Sequence, residues 1–130
     1  EKIKYKKKKN MTYDDDNIFA KILREEIPCK KIYENKYALA FHDVNPQSKI
    51  HILVIPKGKY ISFADFSENA LPKEINGFMK AVGKIAKNQN LVESGYRILA
   101  NHGQNAGQEV AHFHIHIFGG EPLGPMISKT

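Results

Sequence analysis

Three of the six histidines stand at alternate positions of one short stretch, as His112, His114 and His116. Phenylalanine and isoleucine occupy the positions between and after them, up to Phe118. Strict alternation of this kind predicts a half-buried β-strand, because successive side chains point to opposite faces. We therefore expect a strand over residues 111–118, with the apolar side chains packed inward and the imidazoles in a row.

The row of imidazoles has three interpretations: a solvated face, a metal site or a catalytic site. A face that served only solubility would draw on Lys, Glu and Thr. On a strand that rises about 3.3 Å per residue, His112 and His116 lie about 13 Å apart. The three imidazoles therefore do not fit one tetrahedral zinc ion. A zinc site would need two of them and a ligand from elsewhere, and the sequence holds no Cys pair.

The catalytic interpretation makes the central imidazole, His114, a nucleophile whose neighbours hold or move protons. Neutral imidazole attacks phosphorus without first losing a proton, and a pKa of about 6.5 keeps much of it neutral near pH 7. We favour this interpretation and expect neither a metal ion nor an organic cofactor.

The elements that must position this strand follow from hydrophobic periodicity. An apolar stripe from Ile18 to Leu23 predicts a short helix that ends before Pro28. A second stripe predicts one long helix over residues 67–90, and apolar runs predict strands over residues 31–34, 37–41, 50–55 and 96–100. This order predicts an α+β fold, with about five strands in an antiparallel sheet and one short and one long helix on one of its faces.

Length and composition predict one soluble globular domain. The chain has 130 residues, of which 42% are hydrophobic and 26% are charged. Its net charge of +6 is concentrated at the beginning, since residues 1–10 hold six Lys and one Glu. We expect a disordered lysine-rich arm over residues 1–13 and a single domain over residues 14–130. Nucleic-acid binding is expected only through the arm.

Composition also bears on location. No apolar run approaches the roughly 18 residues of a membrane span, so we expect no membrane partner. The single Cys29 suits a reducing compartment. We expect a cytoplasmic protein, which is also present in the nucleus if the arm acts as a targeting signal.

The segment from Gly107 to His116 reads Gly-Gln-Glu-Val-Ala-His-Phe-His-Ile-His and resembles the histidine-triad motif. The resemblance extends over residues 16–126 and is to the Hint branch of the histidine-triad superfamily, with a tail similar to that of bacterial-type members. It implies the fold of that superfamily, a homodimer and hydrolysis of nucleoside phosphoramidates. Two positions depart from the pattern. Glu109 stands where animal members carry serine, and Glu121 stands where bacterial-type members usually carry arginine.

The resemblance also implies roles for individual residues. Asp43 matches a carboxylate that hydrogen-bonds the ribose hydroxyls, and His51 matches a histidine that lines the site. The other nucleotide-binding positions of the superfamily are matched by Ile18, Phe19, Ile22, Phe41, Val44, Leu53, Asn101, Gly107, Gln108, Glu109 and Val110. Those up to Leu53 belong to the nucleobase and ribose pocket, and those from Asn101 onward belong to the phosphate loop.

Together these roles imply a two-step hydrolysis of purine nucleoside phosphoramidates to a nucleoside monophosphate and an amine. His114 attacks the α-phosphorus and expels the amine, and water then hydrolyses the nucleotidyl-histidine. The leaving amine needs a proton, and the candidates for its donor, which the sequence does not rank, are His112, His116, His51 and Glu109. Two alternatives stay open. One is hydrolysis of dinucleoside polyphosphates by the same nucleophile, and the other is a non-enzymatic nucleotide-binding or signalling protein that interacts with protein kinases.

Overall fold

The computed structural model describes residues 12–128. Its helices are α1 (Ile18–Leu23), α2 (Phe63–Asn69) and α3 (Pro72–Asn88). Its strands are β1 (Lys31–Glu34), β2 (Ala38–His42), β3 (Ile50–Pro56), β4 (Tyr96–Leu99) and β5 (Ile115–Gly119), with a 3-10 turn (Gln104–Ala106) before β5. No helix in this part of the chain is long and apolar enough to cross a membrane. The predicted disordered arm covers residues 1–13, of which residues 1–11 lie outside the described residues.

The strands form one antiparallel sheet in the order β1-β2-β3-β5-β4. This confirms the predicted α+β class and the five-stranded antiparallel sheet. The predicted bounds of the first four strands agree with the observed ones to within one residue. Strand β5, which carries the histidines, lies between the apolar strand β3 and the edge strand β4.

Both faces of the sheet are covered by helices. The larger apolar cluster joins one face to α2 and α3, and its members include Ala38, Ala40, Ile52, Val54, Phe66, Phe78, Val82, Ile85, Phe113, Ile115 and Ile117. The smaller cluster joins the other face to α1 and contains Phe19, Ile22, Leu39, Phe41, Leu53 and Ile55. The expectation that both helices lie on one face is therefore wrong. Strand β3 is buried at every position from His51 to Pro56 and needs cover on both sides.

The single long helix predicted over residues 67–90 is two helices. Helix α2 begins after Ser62, whose hydroxyl accepts the Asp65 N–H at 3.2 Å. Helix α3 begins at Pro72, and Leu71 before it is extended, with φ −69° and ψ 151°. A residue that precedes proline is disfavoured in helical geometry, so the chain leaves α2 before it enters α3. The prediction therefore lacks one helix, and residues 12–128 contain three.

The histidine segment is a regular strand only from Ile115 onward. Upstream of that residue, the Phe113 N–H donates to the carbonyl of Tyr60 at 2.7 Å, in the loop before α2. The strand predicted over residues 111–118 is therefore wrong at its beginning, because the backbone there bonds to a loop. The alternation persists, since positions 113, 115 and 117 belong to the larger cluster.

Candidate active site

A cleft of about 530 Å³ opens on the α1 face of the sheet, between α1, the end of β2, the loop before β5 and β5 itself. The predicted site residues that line it are Ile18, Phe19, Ile22, Phe41, Asp43, Val44, Leu53, Asn101, Gly107, Glu109, Val110, His114 and His116. Three predicted residues lie behind this lining, namely His51, His112 and Gln108. Each of them hydrogen-bonds to a residue of the lining.

Helix α1 gives the cleft an apolar wall. Phe19 and Ile22 are buried against the sheet. The ring of Phe19 meets that of Phe41 edge to face, with centroids 5.7 Å apart. At the mouth of the cleft, the side chain of Val44 is 89% exposed. A wall of this kind suits a flat, largely apolar ring such as a nucleobase.

The carboxylate of Asp43 stands at the edge of the apolar wall. Its Oδ1 accepts the Asn45 N–H at 2.8 Å, and its Oδ2 lies 3.3 Å from Nε2 of His51. The Asn45 N–H holds one carboxylate oxygen in place. A carboxylate held in this way can accept hydrogen bonds from two neighbouring hydroxyls, such as those of a ribose.

The tautomer of His114 follows from a backbone contact. Its Nδ1 lies 2.7 Å from the carbonyl oxygen of His112, which only accepts hydrogen bonds, so Nδ1 carries the proton. In the neutral ring, Nε2 then holds a lone pair. The ring is 7% exposed, lines the cleft and meets the edge of Phe19 at 5.0 Å. The neutral ring of His114 therefore has a fixed tautomer, with its lone pair on Nε2, in the lining of the cleft.

The tautomer of His116 follows from two further contacts. The backbone N–H of Gln47 donates to Nδ1 of His51 at 3.1 Å, so the proton of neutral His51 is on Nε2. That N–H faces both Nδ1 of His116, at 2.9 Å, and Oδ2 of Asp43. Nδ1 of His116 is therefore an acceptor, and its own proton is on Nε2. His116 presents a donor where His114 presents a lone pair.

Burial keeps these imidazoles neutral. It lowers the pKa of His114, and it lowers the pKa values of His112 and His116 to about 4. Burial also lowers the pKa of His51, which the nearby charge of Asp43 raises to a smaller extent. At neutral pH the site therefore holds uncharged rings with fixed tautomers.

A metal ion has one possible set of ligands among residues 12–128. Ligand atoms of Asp43, His51 and His116 lie within 4.8 Å of one another. The Nε2 atom of His51 carries a proton, however, because Nδ1 accepts the Gln47 N–H. A metal would require the His51 ring to turn over and lose that hydrogen bond. The expected absence of a metal stays a prediction.

His112 is held on both sides and is completely buried. Its Nε2 lies 2.8 Å from the carbonyl oxygen of Pro56, so Nε2 carries the proton. Its Nδ1 lies 2.6 Å from the hydroxyl of Tyr13. Both ring nitrogens are thus engaged within the protein. Of the candidate acids, His116 and Glu109 line the cleft, whereas His112 and His51 lie behind its lining.

The loop before β5 offers two backbone donors to a phosphate. The N–H groups of Gly107 and Gln108 donate to carbonyl oxygens inside the loop. The Gln108 side chain braces the loop by donating to the carbonyls of Ile61 and Val110, at 2.8 and 3.0 Å. Of the four predicted amides, those of Glu109 and Val110 are therefore the ones that can bind a ligand.

Sequence reasoning missed the groups that fix the imidazoles. They are the amide of Gln47, the carbonyl of Pro56 and the hydroxyl of Tyr13. The first two are backbone groups, so the residue types at those positions do not predict these contacts. Tyr13 lies 99 positions from His112, in the segment that the prediction assigned to the arm, and no local pattern connects the two.

Comparisons with known proteins show the family of the chain. The HIT domain family matches residues 24–123. The chain is 58% identical over 118 residues to an uncharacterised 13.2 kDa HIT-like protein of Azospirillum brasilense, and the match covers 91% of this chain and 97% of that protein. It is 40% identical over 117 residues to the purine nucleoside phosphoramidase of Escherichia coli K12, and that match covers 88% of this chain and 95% of that enzyme. A solved histidine triad protein from Clostridium difficile is similar with a TM-score of 0.78 at 39% identity, and covers 89% of this chain and 100% of that one. The chain therefore belongs to the HIT domain family.

Proposed function

We propose that the protein hydrolyses purine nucleoside 5′-phosphoramidates to a nucleoside monophosphate and an amine. The observation that carries this proposal is the fixed tautomer of His114, which leaves an Nε2 lone pair beside a cleft with an apolar wall and a carboxylate. Similarity to the purine nucleoside phosphoramidase of Escherichia coli supports the choice of substrate.

The reaction takes place in two displacements at phosphorus. The Nε2 lone pair of His114 forms a bond to the α-phosphorus, and the P–N bond breaks as the amine leaves with its electron pair and a proton. Water then attacks the nucleotidyl-histidine, and the P–N bond to Nε2 breaks, which restores the imidazole. The proton that water loses returns to His116. A covalent intermediate replaces one difficult step with two easier ones.

His116 is the group that we assign to protonate the leaving amine. Its ring lies 5.1 Å from that of His114, centroid to centroid, and its proton is on Nε2. Burial lowers the pKa of His116 to about 4. A phosphoramidate anion beside the ring favours its protonated form and raises that pKa. In that form Nδ1 of His116 also carries a proton, and the Nε2–H of His51 donates to Oδ2 of Asp43 alone. Substrate binding therefore prepares its own proton donor.

The remaining contacts hold the nucleotide. The amides of Glu109 and Val110 bind the phosphate oxygens, whose negative charge grows as the nucleophile attacks. Asp43 accepts hydrogen bonds from the ribose hydroxyls, and the wall formed by Phe19 and Ile22 packs against the base. The exposed carboxylate of Glu109 lies on the rim of the cleft, where an ammonium group on the leaving side of the substrate would attract it.

The test is turnover of AMP joined through a P–N bond to an amine. We expect the wild type to release AMP and His114→Ala to lose at least about 10³-fold in kcat/KM, while AMP still binds within a few fold of the wild-type affinity. His102→Ala is the matched control, because His102 is an exposed histidine outside the lining of the cleft.

Two results would contradict the proposal. Faster cleavage of a dinucleoside polyphosphate than of the phosphoramidate would favour the other hydrolase reaction. Tight AMP binding without turnover of either substrate would favour the nucleotide-binding or signalling role.

A homodimer is the second part of the proposal. Strand β4 forms an edge of the sheet, and its Tyr96 and Ile98 are 40% and 43% exposed. Met79 on α3 is 45% exposed. An unpaired edge with apolar side chains is a template for pairing with a second copy about a two-fold axis.

The C-terminal tail lies beside that edge. The guanidinium of Arg97 on β4 donates to the carbonyls of Gly124 and Pro125, at 3.0 and 3.3 Å. We therefore expect the tail to lie close to the cleft of the partner subunit. Sedimentation at monomer mass in micromolar solution would contradict the dimer. Deletion of residues 121–130 should change the preference for the amine more than the preference for the base.

A further inference from the structure

The buried ring of His112 connects the N-terminal segment to the nucleophile. The carbonyl of Pro56 only accepts hydrogen bonds, so Nε2 of His112 is the protonated nitrogen. Nδ1 of the neutral ring is then an acceptor, and the Tyr13 hydroxyl 2.6 Å away must donate to it. Burial raises the pKa of Tyr13, so the phenol keeps this proton at neutral pH.

The backbone of His112 carries the connection onward. Its carbonyl accepts the Nδ1–H of His114 at 2.7 Å, which is the contact that leaves the lone pair on Nε2. The peptide that contains this carbonyl is held by the Phe113 N–H, which donates to the carbonyl of Tyr60 at 2.7 Å. Its remaining freedom depends on the His112 ring, because the segment before Ile115 has no partner strand. The ring is held at one edge by Pro56 and at the other by Tyr13.

Tyr13 is itself held in place. The next residues are tied down by an ion pair between Lys59 and Asp15 at 2.9 Å and by a hydrogen bond from Arg24 to the Asp15 carbonyl at 2.9 Å. Asn17 caps α1 by accepting the Ala20 N–H. Helix α1 also supplies Phe19, whose ring meets the ring of His112 edge to face at 6.2 Å.

We propose that Tyr13 is a positioning residue for the nucleophile: its hydroxyl fixes the His112 ring, and the His112 carbonyl thereby fixes the orientation and tautomer of His114. This inference rests on the proposed function for its kinetic effect. If Tyr13 only shielded His112 from solvent, any apolar side chain could replace it. A positioning role requires the hydroxyl, because Nδ1 of a completely buried imidazole otherwise lacks its donor.

The experiment compares Tyr13→Phe with Tyr60→Phe in the full chain. Tyr60 donates its hydroxyl to Glu74 at 2.7 Å, on the α3 side of the molecule. Both variants thus lose one partly buried phenol hydrogen bond. With AMP joined to an amine as substrate, we expect Tyr13→Phe to lower kcat about 10- to 100-fold with KM within about twofold. We expect Tyr60→Phe to lower stability and leave both parameters unchanged.

Nitrogen-15 NMR of the histidine rings provides a readout independent of turnover. In the wild type, the His114 ring should show protonated Nδ1 only. In Tyr13→Phe, it should show a mixture of tautomers, with part of the protons on Nε2, and in Tyr60→Phe it should match the wild type. An unchanged His114 tautomer in Tyr13→Phe, or an unchanged kcat, would overturn the inference.

Two further outcomes keep this inference distinct from the proposed function. If the wild type hydrolyses no phosphoramidate, the proposed function fails, and the His114 tautomer alone decides whether Tyr13 positions the ring. In an active protein, adding Tyr13→Phe to His112→Ala should cause no further loss of kcat per folded molecule, because Tyr13 acts through His112. Full additivity of the two losses would overturn the inference, and if His112→Ala does not fold, the tautomer measurement decides.

Discussion

The two faces of the sheet are built from the same strands but are filled in opposite ways. Against α2 and α3, the contacts are apolar and aromatic, and the rings of Phe66, Phe78 and Phe113 lie 4.8 to 5.5 Å from one another. Against α1, a smaller apolar cluster ends at a cleft lined by imidazoles. Strand β5 serves both faces, because successive side chains alternate between them.

The difference shows that one strand can contribute to stability through one face and to the chemistry of the site through the other. On the α3 face, close packing over a large area supplies the stability, and no single group needs a fixed orientation. On the α1 face, each ring nitrogen that we can assign is fixed by a named donor or acceptor. Substitutions on the first face should therefore change stability, and substitutions on the second should change binding and turnover.

The largest expected effect is on the α3 face. Phe78 is completely buried, and Phe78→Ala should lower the free energy of unfolding by about 3–5 kcal/mol, through lost transfer energy and a cavity. The kcat per folded molecule should stay within about twofold. Urea unfolding and AMP release measure the two quantities. Phe63→Ala is the control, since Phe63 is 54% exposed and should cost less than about 1 kcal/mol.

If the variant is too unstable to study, Phe78→Leu provides a milder version of the same change. A large fall in kcat for a folded Phe78 variant would break the comparison, because it would show that the apolar face also sets the geometry of the nucleophile.

The next effect is the pH dependence that the α1 face imposes on stability. The pKa of His112 is about 4 in the folded protein and about 6.5 in the unfolded chain. The unfolded state therefore binds more protons between these values, and the free energy of unfolding falls as the pH falls from about 6.5 toward about 4. For His112 alone the loss is on the order of 3 kcal/mol over the full shift. Urea unfolding between pH 7.5 and 4.5 measures the combined loss from His112 and from the other imidazoles whose pKa values burial lowers.

The pH range from about 6.5 to about 4.5 distinguishes the contribution of the imidazoles to the free energy of unfolding from that of the exposed ion pairs. The pKa of Glu34 is lowered to about 2 by hydrogen bonds from Lys31 and Lys57, so its contribution is lost only below its ordinary pKa of 4.5. Stability that stays constant between pH 6.5 and 4.5 would mean that His112 is protonated without unfolding, which its burial and its two partners oppose.

The sheet and its α1 face show which features the sequence predicts and which it does not. The alternation of β5 and the continuous apolar run of β3 are local patterns, and they predict the sheet and the division of its side chains. The position of α1 on the opposite face and the break before Pro72 depend on which surface needs cover and on one backbone dihedral angle. The contacts that fix His112 and His51 join residues far apart or backbone groups, and no residue pattern encodes them.

A smaller effect concerns ligand binding on the α1 face. Asp43→Ala should weaken AMP binding about tenfold, because a charged acceptor for the ribose hydroxyls is lost. The penalty should be smaller for 2′-deoxy-AMP, which has already lost one of those hydroxyls. Titration calorimetry with both nucleotides measures the difference. Equal penalties for the two sugars would show that Asp43 does not contact the 2′-hydroxyl.

The smallest effect tests whether the α3 face can be strengthened without a change at the site. Nothing lies within 4 Å of a Cβ added at Gly83, an exposed position of α3, whereas a Cβ at Gly77 meets the ring of Tyr37. Gly83→Ala should raise the free energy of unfolding by about 0.5–1 kcal/mol, because alanine loses less backbone entropy in a helix. Gly77→Ala should lower it, since the ring must move. Both variants should hydrolyse phosphoramidate like the wild type. Gly83 lies one helical turn from the exposed Met79, so destabilisation by Gly83→Ala would indicate that this side of α3 is covered in solution, as the proposed dimer would cover it.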